Sequence, residues 1–335
     1  MFQTSFYSVI SRRSWLVGML LLLCGFQPML AADDWKDGFP ENTQFQLDVP
    51  YKQTPQGEQL LDIYRPAPNL CREALPVVLF IHGGSWMHGN KKEVRYGWQK
   101  QVVSRLLREG FAVVSINYRL IDKELTVTMP QPISDCKDAV RWLRCYASHW
   151  GFDADRIAVM GTSAGGHLSL MTAAMPDANV PCAAGLEQYN SRVQCVVDIY
   201  GPTDIAKILK SRLFRPLTGL AKAAMGEQTV DMRARLLWAF SHESAGHPNR
   251  RYEGCLQYSP MTYVPLMPPT IIFHGNADKL VSFGHSLDFY KSMVAQRRTA
   301  EIHMLEGQNH GFSTITPTQV LQMQEDMVRF LKRCM

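Results

Sequence analysis

The sequence has no C-x-x-C pair and no cluster of histidine with cysteine, which removes the common zinc-binding patterns. Charge is sparse: Asp, Glu, Lys and Arg make up 19% of residues, and neither sign dominates. A formal net charge of +5, scattered along the chain, is too small for a nucleic-acid-binding surface. No window is low in complexity and no repeat recurs, which excludes solenoids and propellers. Long apolar runs are also missing. The longest, Trp15 to Phe26, falls short of the roughly 20 residues that a membrane-spanning helix needs.

That run is explained by its flanks. Arg12 and Arg13 precede it, Ala31-Ala32 follow it, and Asp33-Asp34 come next. This is the pattern of a secretory signal over residues 1–32, cut after Ala31 or Ala32. It predicts a periplasmic or secreted protein with no stable membrane insertion after cleavage. Leu23 stands where a lipoprotein signal would place a small residue before Cys24, which argues against a lipid anchor. Cleavage removes two arginines and no acid, so the mature chain is less basic still.

Seven of the eight cysteines lie beyond the signal: Cys71, Cys136, Cys145, Cys182, Cys195, Cys255 and Cys334. An oxidising compartment favours disulfides. Cys182 and Cys195 flank a polar, loop-like segment just before an apolar strand and are the expected pair, worth roughly 3 kcal/mol. The odd number leaves a free thiol, most simply a buried helical one such as Cys136.

Residues 33–335 read as one large α/β unit. Residues 43–49 and 59–64 form two strands joined by a turn around Pro55-Gln-Gly57. Apolar runs of buried-strand type follow at 76–81, 111–116, 157–160, 193–200, 270–273 and 300–305. Helical spacing lies between them at 94–109, 132–149, 164–175, 284–296 and 317–332. In the helix over 132–149, Ile133, Cys136, Val140, Leu143 and Ala147 share one face, and Asp135, Lys137, Asp138, Arg141 and Arg144 point elsewhere. Residues 201–258 break the alternation and read as a cap-like insertion over the strand ends. Alternating strands and helices predict a mostly parallel sheet covered on both faces. Such sheets bind ligands at the carboxyl ends of their strands.

Four motifs sit at such ends. Gly161-Thr-Ser-Ala-Gly165 fits G-x-S-x-G, a strand-to-helix turn that lifts a serine hydroxyl clear of the backbone. Serine is a poor nucleophile without a base and nearby donors for the oxyanion. The base candidate is His310, in Gly307-Gln-Asn-His-Gly-Phe312 after the last strand. The acid candidate is Asp278, after the strand ending at Phe273, with Asp198, Asp204 and Asp288 as competitors. The order Ser163, Asp278, His310 is the one used on this kind of sheet. His82-Gly83-Gly84, after the strand ending at Ile81, supplies the donor loop. A backbone N–H from Gly83 or Gly84, together with that of Ala164, forms the expected oxyanion hole, with His82 orienting it. His167 and His274 read as packing residues, and His149, His285 and His303 as surface or helix-end residues.

Together, Ile81-His-Gly-Gly-Ser-Trp86, Gly161-Thr-Ser-Ala-Gly-Gly-His-Leu168 and Asn309-His-Gly-Phe312 resemble the α/β-hydrolase superfamily. Ser85-Trp-Met-His-Gly-Asn-Lys91, Asn117-Tyr-Arg-Leu120 and the stretch Asp135 to Arg144 narrow the resemblance. They are similar to bacterial carboxylesterases that include acetyl-esterase-like and feruloyl-esterase-like enzymes, near the hormone-sensitive-lipase branch. The resemblance covers residues 43–332. It implies hydrolysis of a small-molecule carboxylic ester through an acyl-enzyme, without metal or cofactor, with Ser163, Asp278 and His310 as nucleophile, acid and base. One departure is Ser85, which stands where the lipase branch has a third glycine.

The pocket walls are expected from residues 201–258, Trp86 and the loop after Tyr118, with Trp86 and Tyr118 as substrate-binding residues. Arg212, Arg215, Arg250 and Arg251 could meet an acidic substrate, although a solvated surface is the simpler reading. Two other functions compete. An amidase or arylformamidase would use the same machinery on another bond. A non-catalytic binding protein on a hydrolase fold would not need all of Ser163, Asp278 and His310.

Overall fold

The computed structural model describes residues 35–70, 73–211, 232, 234–241, 250 and 252–335. The proposed signal, Cys71, most of residues 212–249, and Arg212, Arg215 and Arg251 lie outside the described residues.

Eight strands form one sheet in the order β1-β2-β4-β3-β5-β6-β7-β8. The strands are β1 Gln44–Thr54, β2 Gly57–Arg65, β3 Leu75–Ile81, β4 Ala112–Ile116, β5 Phe152–Thr162, β6 Val196–Ile199, β7 Thr270–Gly275 and β8 Ala300–Leu305. β1 and β2 are an antiparallel hairpin, with Thr54 paired to Gly57 across the turn. β2 joins β4 antiparallel, and every pairing from β4 to β8 is parallel. The expected mostly parallel sheet is therefore present, with a hairpin added at one edge.

Two helices cover one face: α1 Gly97–Arg108 and, far along the chain, the C-terminal helix Pro317–Cys334. The other face carries α2 Pro130–Cys145, α3 Ala164–Ala174 and the helix Gly284–Ala295. The central strands are apolar on both sides because both sides are covered. β3 shows it: Val77, Leu79 and Ile81 enter one core, and Val78 and Phe80 the other.

The expected helix over 132–149 is two. α2 stops at Cys145, and a separate turn, Ala147–Trp150, ends at Gly151 in the left-handed region. The polar side of α2 is not solvated. Asp135, Lys137, Asp138 and Arg141 are all buried. Lys52 of β1 reaches Asp135 at 2.8 Å and Asp138 at 2.6 Å, and Arg119 meets Asp135 at 2.7 Å. The hairpin strand covers that side, and burial is tolerable because each charge has a partner.

The expected Cys182–Cys195 disulfide is absent, and all six described cysteines are free thiols. The reason is topological. Cys195 packs in the core under α1 and the C-terminal helix, the core against which Cys334 also packs. Cys182 packs against the core on the opposite face of the sheet. Flanking one loop does not place two residues on the same side of a strand. Cys136 is buried in α2, as expected.

Candidate active site

The four motifs meet at the carboxyl edge of the sheet. β5 runs directly into α3 through Ser163, whose φ of 54° and ψ of −118° lie outside the helical and extended regions. A non-glycine residue held at positive φ is strained, and such strain concentrates at functional sites. The flanking glycines permit the turn. A Cβ on Gly161 would sit 2.2 Å from the Gly165 carbonyl oxygen, and one on Gly165 would sit 2.0 Å from that of Ile81. Ser163 N–H donates to the Ile199 carbonyl of β6 at 2.9 Å, which pins the turn to the neighbouring strand.

Ser163 Oγ lies 2.8 Å from His310 Nε2, and His310 Nδ1 lies 2.7 Å from Asp278 Oδ2. A carboxylate only accepts, so Nδ1 carries the proton and Nε2 is left to accept from the serine hydroxyl. Asp278 Oδ1 accepts from Leu280 N–H at 2.8 Å and Val281 N–H at 2.9 Å, which fixes the carboxylate plane. His274 Nε2 approaches Oδ2 at 3.2 Å. Burial alone would raise the Asp278 pKa, but hydrogen bonds from His274 and His310 outweigh it and hold the carboxyl well below its ordinary range. Asp278 stays ionised where an anion is needed to steady a protonated His310.

The competing acids are placed elsewhere. Asp204 caps the helix Ile205–Lys210 by accepting from Lys207 N–H at 2.9 Å. Asp288 pairs with Lys207 at 2.6 Å on the surface. Asp198 is fully buried against α3, where its Oδ1 accepts from Gly201 N–H at 3.0 Å and burial pushes its pKa up to about 7.

The donor loop follows β3. Gly83 N–H does not face the serine, because it donates to Glu93 Oε2 at 2.8 Å. This makes Gly84 N–H the candidate donor of the two glycines. The other candidate donor is Ala164 N–H, the first of α3, which has no partner inside its own helix. His82 is tied to the glycine that follows it. Its ring is buried and neutral, with burial lowering the pKa to about 4, and its Nδ1–H donates to the Gly83 carbonyl at 2.7 Å.

Trp86 and Tyr118, expected to bind substrate, are both buried. Trp86 is 4% exposed, and its indole N–H donates to His167 Nδ1 at 3.1 Å. Tyr118 is 2% exposed, stacks on His82, and donates its hydroxyl to the His82 carbonyl at 3.0 Å. Both brace the donor loop from behind. His167 and His274 are packing residues as expected, and His285 stands at the start of the helix Gly284–Ala295, where it is buried.

Sequence reasoning missed two contributors. Tyr200, at the end of β6, packs edge-on against His310 with ring centroids 4.9 Å apart and limits its rotation. Glu93 lies in a polar run that reads as solvated surface. The His310 loop is held further by Trp98 of α1, whose indole N–H donates to the Gly311 carbonyl at 3.1 Å.

The family model BD-FAE matches residues 61–293, more than half of the chain. The chain belongs to the BD-FAE family. It is 31% identical over 222 residues to "Probable carboxylic ester hydrolase LipM" of Mycobacterium tuberculosis, an alignment covering 66% of this chain and 45% of the relative. It is 29% identical over 259 residues to "Esterase LipC" of the same organism, covering 77% and 58%. The chain thus spans about half the length of the curated relatives it matches. Among solved structures it is similar to Thermogutta terrifontis esterase 2 with propionate bound, at TM-score 0.65 and 24% identity, covering 88% of this chain and 96% of that one. A truncated carbohydrate esterase from gut microbiota gives TM-score 0.65 at 23% identity, covering 88% and 100%. At these identities the likeness establishes the α/β-hydrolase fold that the motifs implied.

Proposed function

We propose that this BD-FAE family member is a serine esterase that hydrolyses carboxylic esters of short acyl or aryl type. The observation that carries the reading is the continuous relay from Ser163 Oγ through His310 to Asp278, at 2.8 and 2.7 Å. Ser163 Oγ attacks the ester carbonyl while His310 Nε2 takes its proton. The carbonyl oxygen becomes an oxyanion held by the N–H groups of Gly84 and Ala164. As the intermediate collapses, the alcohol leaves with the proton from His310, and the acyl group stays on Ser163. Water, activated by the same histidine, then releases the acid and restores the serine. Relatives named as esterases support this bond class, and a structural neighbour with propionate bound supports a short acyl group.

The test is Ser163→Ala. The variant should stay folded and lose p-nitrophenyl acetate hydrolysis and fluorophosphonate labelling; undiminished turnover would sink the proposal. A matched anilide, assayed beside the ester, separates esterase from amidase. Wild-type protein that neither turns over nor labels would point to a binding role. We further infer export, from the charge and apolar pattern of residues 1–32. N-terminal sequencing of protein from the periplasm or medium should begin after Ala31 or Ala32. A chain retained in the cytoplasm with residues 1–32 intact overturns export.

A further inference from the structure

Three side chains hold the two peptides on either side of Gly83. In the peptide joining His82 to Gly83, the carbonyl accepts from Tyr118 Oη and the N–H donates to Glu93. In the next peptide, the Gly83 carbonyl accepts from His82 Nδ1. With the first peptide held at both ends and the second at its oxygen, Gly84 N–H is the group left to point away from these anchors. Glycines at 83 and 84 impose no side-chain restriction, so the orientation must come from the anchors.

Of the three anchors, Glu93 alone also touches the nucleophile turn. Its Oε2 accepts from Gly83 N–H at 2.8 Å, and its Oε1 accepts from Thr162 Oγ1 at 2.7 Å and Gln99 Nε2 at 3.2 Å. Thr162 immediately precedes Ser163. One carboxyl therefore joins the loop after β3 to the turn after β5, the two segments that supply the oxyanion donors. All three partners are neutral donors, so only hydrogen bonds oppose the burial that raises the Glu93 pKa. Glu93 is also held in place. It sits on the short helical turn Lys91–Arg95, whose Lys91 and Arg95 both reach the buried Asp62 of β2, at 2.6 and 2.5 Å.

We infer that Glu93 is a positioning residue of the oxyanion hole: its carboxyl sets the distance and tilt between the Gly84 and Ala164 donors and keeps Gly83 N–H out of the site. This rests on the esterase reading above. A residue that served only stability would change Tm without favouring the transition state over the substrate. One that positions the donors must act on the oxyanion in particular.

The experiment compares wild type, Glu93→Ala and Glu93→Gln in p-nitrophenyl acetate kinetics. It also measures affinity for an aryl trifluoromethyl ketone, whose carbonyl accepts Ser163 Oγ to give a tetrahedral oxyanion adduct. Glu93→Ala should lower kcat by about tenfold to a hundredfold, less than outright loss of a donor, with KM changed less than about threefold. Ketone affinity should fall by the same factor as kcat. Glu93→Gln keeps a carbonyl acceptor for Gly83 N–H and should recover most of the loss. A kcat for Glu93→Ala near wild type, a fall in kcat with unchanged ketone affinity, or no rescue by Gln would each overturn the assignment. Should Glu93→Ala fail to fold, Thr162→Val removes one partner while keeping the shape. A parallel loss of kcat and ketone affinity in that variant supports the assignment, and unchanged values overturn it. Wild-type turnover and fluorophosphonate labelling, run alongside, separate failure of this inference from failure of the esterase reading.

Discussion

Asp278→Asn should disable the enzyme while leaving its shape intact, and the hydrogen bonds around the carboxylate say why. Oδ1 accepts from two backbone N–H groups, those of Leu280 and Val281. In the asparagine variant the amide oxygen must keep that place, since an NH2 group there would face two donors. The NH2 then replaces Oδ2 and points at His310 Nδ1, now 2.7 Å from an acceptor. It donates to Nδ1, which drives the ring proton to Nε2. His310 Nε2 then donates toward Ser163 Oγ and has no lone pair with which to take the serine proton. Loss of the correct tautomer costs about 10⁴ in kcat where a triad acid is replaced by its amide, or about 5.5 kcal/mol of transition-state stabilisation. Substrate contacts are untouched, so KM should change little. Steady-state hydrolysis of p-nitrophenyl acetate measures the loss, and near-ultraviolet circular dichroism checks the fold. A kcat within tenfold of wild type would refute the tautomer argument and the role of Asp278 with it.

Two more perturbations probe the frame. Asp198→Asn should become more favourable relative to wild type as pH rises. The folded pKa of Asp198 is raised to about 7, so its contribution is fully present below the unfolded carboxyl pKa and is lost as pH rises through 7. From pH 5 to pH 8 the wild type should therefore lose about 3 kcal/mol that the asparagine variant keeps. Urea unfolding at the two pH values measures this, and parallel stability curves would contradict the burial argument. Gly165→Ala would place a methyl 2.0 Å from the Ile81 carbonyl oxygen. The backbone cannot yield there without parting β3 from the nucleophile turn, so a loss of about 3 kcal/mol or more is expected. A soluble variant with an unchanged melting temperature would show that the turn is looser than described.

The relay was legible in the sequence because each member follows an apolar strand run and a parallel sheet gathers such ends along one edge. Ser163 and His310 stood out by their motifs, whereas Asp278 was separated from Asp198, Asp204 and Asp288 only by the geometry. Glu93 was not legible, since Asn90-Lys-Lys-Glu93 has the composition of a solvated turn and its partner Thr162 lies 69 positions away. The same limit explains the buried charges of α2. Helical periodicity shows which residues share a side, but only the third dimension shows that Lys52 of β1 covers the polar one. The Cys182–Cys195 pairing failed for a related reason, because proximity along the chain does not tell one face of a sheet from the other. Trp86 and Tyr118 lie near the site in sequence and in space, yet their polar atoms are spent on His167 and His82.

The buried Asp62 makes the edge hairpin indispensable to chemistry that it never touches. Strands β1 and β2 bear no member of the relay, and a minimal hydrolase drawn from the relay alone would begin near β3. Such a cut would strand Lys91 and Arg95, 3% and 7% exposed in their side chains, without the carboxylate that neutralises them. Two orphaned cations would then flank Glu93, drawing its carboxyl away from Gly83. The hairpin works as a counterweight, and shortening of this scaffold should stop before β1, whose Asp48 also pairs Lys91 and whose Lys52 meets the buried Asp135 and Asp138.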